Sequence, residues 1–203
     1  LKALNNFGRT RASYVARAIV YAADNGAQII NLSVSGPGFP PAVHDAVDYA
    51  HAKGLLIVAS AGNGAEDIDA IEPTAPKNIM LVSATDATDR RAVFSNVGSA
   101  ISVAAPGVDI VSLRARATDF MYNKAETSYV RGDAFLGDDY RYYRSSGTSF
   151  AAPIVSGIAS LVWSERRQLT AQQVRRIVEQ SARDVEAAGR DRLTGFGVVD
   201  AGA

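Results

Sequence analysis

With 203 residues, the chain has the length of about one to one and a half domains, enough for a substantial core. Apolar residues make up 47% and charged residues 21%, and 21 basic residues balance 21 acidic ones. A net charge of +0 gives no sign of a nucleic-acid or acidic-membrane partner, the absence of cysteine excludes a disulfide framework and thiolate chemistry, and no apolar run approaches the roughly 18 residues of a membrane span.

Leu1 to Leu4 reads as a short strand, entered without a start Met or signal-peptide character, so a preceding segment of the same domain is expected. Asn5 to Thr10 is a loop. Ala12 to Asp24 carries Val15, Ala18, Ile19 and Ala22 at helical spacing, and Asn25-Gly26 stops it. Gln28 to Val34 is a buried strand broken by Gly36-Pro37-Gly38. Pro40 to Ala52 is a second helix, closed by Lys53-Gly54. Leu55 to Ala59, Ile79 to Ala84 and Ile101 to Ala105 are apolar throughout, as strands buried on both faces are. Pro106-Gly107 turns into Val108 to Leu113. A helix follows from about Ser149, rich in small residues, and is expected to be central and buried. Thr170-Ala171-Gln172-Gln173 opens a final amphipathic helix carrying Val174, Ile177 and Val178. Strands alternating with helices imply crossover units and a mostly parallel sheet covered on both faces, an α/β three-layer fold.

The span 114–144 breaks this rhythm. It holds five of the eight tyrosines with six basic and five acidic residues, and shows neither periodicity. It reads as an insertion, either a surface excursion such as a β-hairpin or a rim for a substrate cleft. Asp133, Asp138 and Asp139 do not follow the spacing of a standard calcium loop.

The chain's chemistry centres on Ser146-Gly147-Thr148-Ser149-Phe150-Ala151-Ala152-Pro153. Gly before Ser, then small residues and Pro, reads as a tight turn feeding a helix, with Pro in the first turn where its missing N–H is harmless. Ser149 there is an N-cap or a nucleophile beside free N–H groups and the positive helix end. The octet matches Gly-Thr-Ser-x-Ala-x-Pro at every defined position and resembles the nucleophile motif of the subtilisin-like serine peptidases, or subtilases. The resemblance runs from Leu1 to Ala201. It implies that Ser149 forms the acyl-enzyme.

Val58-Ala59-Ser60-Ala61-Gly62-Asn63-Gly64 follows a strand at its carboxyl end, where open parallel sheets bind ligands. It is similar to the family's oxyanion-hole segment, which implies Asn63 as a donor to the oxyanion with the Ser149 N–H as the second. Asn31-Leu32-Ser33-Val34-Ser35-Gly36 resembles the family's substrate-pairing strand, although the family usually has Gly where Ser35 stands. By the same resemblance Gly8, Arg9 and Thr10 form the opposite edge, Ser33, Val34 and Ser35 one pocket wall, and Ser60, Ala61 and Gly62 the other, with Thr148 beside the nucleophile. Substrate then binds by strand addition. The small wall residues leave room for a large apolar or aromatic side chain. A cis proline is expected at Glu72–Pro73.

A serine hydroxyl needs a base. The family uses a His oriented by an Asp, in the order Asp, His, Ser. The two histidines, His44 and His51, lie on one predicted helix without the family's surrounding motif, and Asp24-Asn25-Gly26 reads as a helix end. The resemblance therefore implies an incomplete peptidase domain over 1–203, whose partners are a polypeptide substrate and the missing N-terminal part of its own domain, with the triad Asp and His outside this chain. It implies no cofactor for catalysis, leaves structural calcium open, and places the protein outside the cell or in the cell envelope. A pseudopeptidase that binds peptides without cleaving them is the alternative. An α/β-hydrolase esterase is disfavoured, because its elbow needs Gly-x-Ser-x-Gly and a His after the Ser.

Overall fold

Four apolar runs at the centre of the chain pair side by side in chain order. In the computed structural model, which describes residues 1–5, 8–34, 39–71, 77–114, 135–137 and 141–202, they form one parallel sheet. Its strands are β1 (Ile29–Leu32), β2 (Leu56–Ser60), β3 (Ile79–Thr85) and β4 (Ile101–Pro106). Every residue of β2 and β3 is buried, which is why neither alternates polar with apolar.

The period-2 geometry of β2 divides the core. Ile57 and Ala59 pack towards helices α1 (Ala12–Asp24) and α2 (Pro41–Ala52), against Ile19, Val43 and Val47. Leu56 and Val58 pack towards helices α4 (Thr148–Glu165) and α5 (Ala171–Gln180), against Ala152, Val155 and Val174. Val155 is fully buried, and each such side chain contributes roughly 1.5–3 kcal/mol, so α4 is firmly seated on the sheet. The C-terminal tail covers the far edge of β4: Val199 N–H donates to Ala104 O (2.9 Å) and Ala104 N–H to Gly197 O (2.8 Å). A short helix α3 (Ile68–Ile71) follows β2. A second, antiparallel sheet joins β5 (Ile110–Leu113), β6 (Phe135–Leu136) and β7 (Tyr142–Ser145) in the order β5-β7-β6.

Three sequence expectations change. Leu1 to Leu4 is not a strand; among the described residues no neighbour offers it a ladder, and β1 pairs only with β2. The strand expected at Gln28 to Val34 is shorter, Ile29–Leu32. Helix α4 is buried along one stripe only: Ala151, Ala152 and Ala159 face the sheet, whereas Pro153, Gly157 and Leu161 are exposed, because the described layers cover a single side of it. The Glu72–Pro73 bond and most of 114–144, with Asp133, Asp138 and Asp139, lie outside the described residues.

Candidate active site

The carboxyl ends of β1 and β2 meet the N-terminus of α4. Gly147 is the N-cap of that helix, at φ 155°, so the cap supplies no side chain. A β-carbon there would lie 3.4 Å from Asn63 Nδ2. Ser149 is thus the second helical residue and not the cap.

The first-turn N–H groups of a helix have no internal acceptors. Here one acceptor comes from the end of β2. Asn63 Oδ1 accepts from both the Thr148 N–H (2.9 Å) and the Thr148 hydroxyl (2.9 Å). Thr148 Oγ1 in turn accepts from the Gly62 N–H (3.1 Å). Thr148 is fully buried, occupied in this three-way clamp. Two donors remain without an acceptor among the described residues: Asn63 Nδ2 and the Ser149 N–H. One lies on the first turn of α4 and the other on the loop bonded to that turn, and Ser149 itself is half-buried.

Pro153 is the sixth residue of α4, beyond the first turn. Its missing N–H would have bonded the carbonyl four residues back, that of Ser149. Ser33 replaces it: its hydroxyl donates to Ser149 O (2.9 Å) from the end of β1. Asn31 Nδ2 donates to Ser33 Oγ (2.9 Å), and Ser156 Oγ donates back to Asn31 Oδ1 (3.2 Å). The helix position carrying Ser149 is therefore tied to two strands at once. Nothing in the sequence signals the tie to Ser33 except the proline itself.

A cleft of about 700 Å³ opens beside Asn63. It brings together Thr10, Val34, Ser60, Ala61 and Gly62, with Val15 and Phe39 behind them. Glu66 is the one ionisable side chain on its described lining. Gly8 and Arg9 are not on that lining; they bond locally to Asn5, Gly8 N–H donating to Asn5 O (3.0 Å) and Arg9 N–H to Asn5 Oδ1 (3.0 Å). Ser35 lies outside the described residues. Beyond the cleft, Ser99 N–H and hydroxyl bonds together with Arg192 hold the Asp69 carboxyl below its ordinary 3.8, fastening α3 to the C-terminal tail.

The histidines sit elsewhere. Helix α2 lies on the sheet face opposite α4, and His44 meets Phe39 edge-on at 6.4 Å. Asp24 is taken by Tyr49 (2.7 Å) and Lys53 (2.5 Å), with Asn25 as the helix C-cap. Among the described residues, no group of three His, Asp or Glu side chains is placed to hold a metal ion.

This arrangement has counterparts. The model of the subtilase family (Peptidase_S8) matches residues 2–197. This chain belongs to the subtilase family. It is 37% identical to a thermophilic serine proteinase of Bacillus sp. (strain AK1) over 189 residues, covering 93% of this chain and 41% of that protein. With thermitase of Thermoactinomyces vulgaris it shares 33% identity over 189 residues, covering 93% and 58%. Among solved structures, sphericase superposes with a TM-score of 0.74 at 28% identity, over 97% of this chain and 66% of that one. A lanthipeptide protease does so with 0.77 at 26%, over 98% and 66%. This subtilase chain thus spans only part of its relatives' length. Its fold is the family's α/β fold, a parallel sheet with helices on both faces. No described helix is long and apolar enough to cross a membrane.

Proposed function

We propose that this subtilase chain carries the nucleophile and the oxyanion donors of a serine endopeptidase. Ser149 Oγ attacks the scissile carbonyl carbon while a base takes its proton. The carbonyl oxygen becomes an oxyanion that accepts from Asn63 Nδ2 and the Ser149 N–H. Collapse expels the amine, which receives the proton back from the base. Water then hydrolyses the acyl-enzyme by the same steps.

One observation carries this reading. Asn63 is held by its own Oδ1 against the first turn of α4, so its Nδ2 and the Ser149 N–H are both left for a third oxygen. A neutral amide suits the task, because it stabilises the negative charge without competing for the proton. The general base is a His supplied from outside these residues, with its orienting Asp; the placement of His44 and His51 on the far face favours this. The substrate is a polypeptide lying along Ser33–Val34 and the Gly8–Thr10 edge, with a large apolar or aromatic side chain in the cleft. The reaction as written needs no metal or organic cofactor. The enzyme works outside the cell or in its envelope.

Fluorophosphonate labelling tests this directly. The intact protein, with its upstream region, should label at one serine, and Ser149→Ala should abolish labelling and lower turnover on the order of 10⁵–10⁶-fold. The 203 residues alone should label negligibly. Labelling that survives Ser149→Ala would remove the nucleophile assignment. Rapid Ser149-dependent labelling of the 203-residue chain would remove the claim of an external base. An intact protein that never labels would leave a peptide-binding module.

A further inference from the structure

The loop that presents Asn63 cannot hold its own shape. Gly62 sits at φ 102° and Ala65 at φ 54°, both in the left-handed region, and for Ala that conformation is unfavourable. Bonds from outside the loop must fix it. Some come from Thr148 at the start of α4, as described above, and the others from a neighbouring segment, 92–97, after β3. Ala65 N–H donates to Phe94 O (2.8 Å), and Val97 N–H donates to Glu66 O (2.9 Å).

Asn96 supplies the remaining bonds from that segment. Its N–H donates to Gly62 O (3.0 Å). Its Oδ1 accepts from the Gly64 N–H (3.0 Å) and the Glu66 N–H (2.9 Å). Asn96 therefore grips the residue before Asn63 and the residue after it. A β-carbon on Gly62 would come within 2.5 Å of Asn96 Nδ2, so glycine there is required by close approach as well as by φ. Asn96 is 4% exposed, and its backbone is anchored: Ser95 Oγ accepts from the Ala84 N–H (3.0 Å) at the end of β3, and Arg91 Nη1 donates to Ser95 O (2.5 Å). The result is a rigid support standing on the sheet.

We propose that Asn96 is a positioning residue for the oxyanion donor: it fixes the 62–66 loop so that Asn63 Nδ2 points at the developing charge before substrate arrives. This rests on the reading of Asn63 given above. Asn96 touches no reacting atom. Asn96 also lines the cleft and holds Gly62 of its wall, so a role through Asn63 is told apart from a role in substrate binding or in fold stability by kcat, KM and melting temperature read together. An oxyanion donor acts on the transition state far more than on bound substrate, so loss of its support should appear in kcat and leave KM nearly unchanged.

The test is a double-mutant cycle in the intact protein, read as kcat and KM on a peptide p-nitroanilide, with melting temperature measured in parallel. Asn96→Ala should lower kcat about tenfold with KM within about twofold, since misplacement of a positioned group costs up to about 10² in rate. In an Asn63→Ala background the same change should cost less than about twofold, because groups acting through one another are non-additive. Should Asn96→Ala fail to fold, Asn96→Asp, which keeps the shape and an acceptor oxygen for both amides but adds charge, takes its place in the cycle. An equal loss of kcat in both backgrounds overturns the proposal, as does a lower melting temperature with kcat unchanged. If Asn63→Ala itself leaves kcat intact, it is the oxyanion reading that fails first, and the cycle reports that separately.

Discussion

Helices α4 and α5 begin in opposite ways. The start of α5 is self-sufficient. Thr170 Oγ1 accepts from the Gln173 N–H (3.3 Å), and Gln173 Oε1 accepts from the Thr170 N–H (2.8 Å), a closed capping box within four residues. The start of α4 has a glycine cap with no side chain, one N–H satisfied from 85 residues away, and the next left open. A helix whose first turn is satisfied locally offers nothing to a ligand. One satisfied remotely, and only in part, presents aligned N–H groups and the positive end of its dipole. The pair shows how the same four-orphan problem is solved once for stability and once for chemistry.

Of changes to the bonds at these two helix starts, removing the remote cap should have the largest effect. Asn63→Ala deletes the Nδ2 donor and the acceptor for Thr148. Loss of one oxyanion-hole donor costs about 10²–10³ in kcat in a subtilisin, equivalent to about 2.7–4 kcal/mol. We expect a loss of that order in the intact protein, with KM within about threefold. Steady-state kinetics check it. A loss confined to KM would mean that Asn63 only holds substrate, and the contrast between the two helix starts would lose its functional meaning.

A smaller effect should follow from untying α4 at Ser33. Ser33→Ala leaves the Ser149 carbonyl without either its hydroxyl donor or the amide that Pro153 lacks. The expected destabilisation is about 1 kcal/mol, the usual net value of one hydrogen bond. Pro153→Ala restores a backbone N–H four residues on. In that background Ser33→Ala should cost nearly nothing. Denaturant unfolding of the four proteins gives the coupling directly. Equal costs in both backgrounds would show that Ser33 does not stand in for the missing amide.

What the sequence discloses follows the same division between local and remote. The bounds of α1 come out at Ala12 and Asp24 as expected, because the 3.6-residue stripe and the Asn25-Gly26 stop are both local signals. The core strands β2, β3 and β4 are legible within one residue, since continuous apolar runs bounded by turns leave little choice. Leu1 to Leu4 is apolar too, yet a strand exists only by pairing, and no ladder partner lies beside it among the described residues. At the site, the octet around Ser149 and the Ala-Gly-Asn after β2 stand out as motifs. The bonds between them do not: Asn63 to Thr148 spans 85 residues and Ser33 to Ser149 spans 116. Asn96 looks like any turn residue until its Oδ1 is seen to accept two amides of another loop.

The least effect on turnover belongs to the self-contained start of α5. Thr170→Ala opens the capping box and frees the Gln173 N–H, which typically costs about 1 kcal/mol. Helix α5 packs on the sheet through Val174 and Val178, both essentially buried, so the helix should persist and the loss should appear as a lower melting temperature. Arg175 adds an independent tether, donating to Ser102 Oγ (3.0 Å) on β4 and to Lys77 O (3.0 Å) before β3. Because none of these bonds reaches Asn63 or Ser149, kcat at a temperature well below the transition should not move. The two helix starts then give opposite signatures for the same kind of change: stability without rate at Thr170, rate far beyond stability at Asn63. Calorimetry paired with kinetics on both variants decides it, and a Thr170→Ala enzyme with kcat reduced tenfold or more would mean that α5 is coupled to the site by a route other than the bonds described.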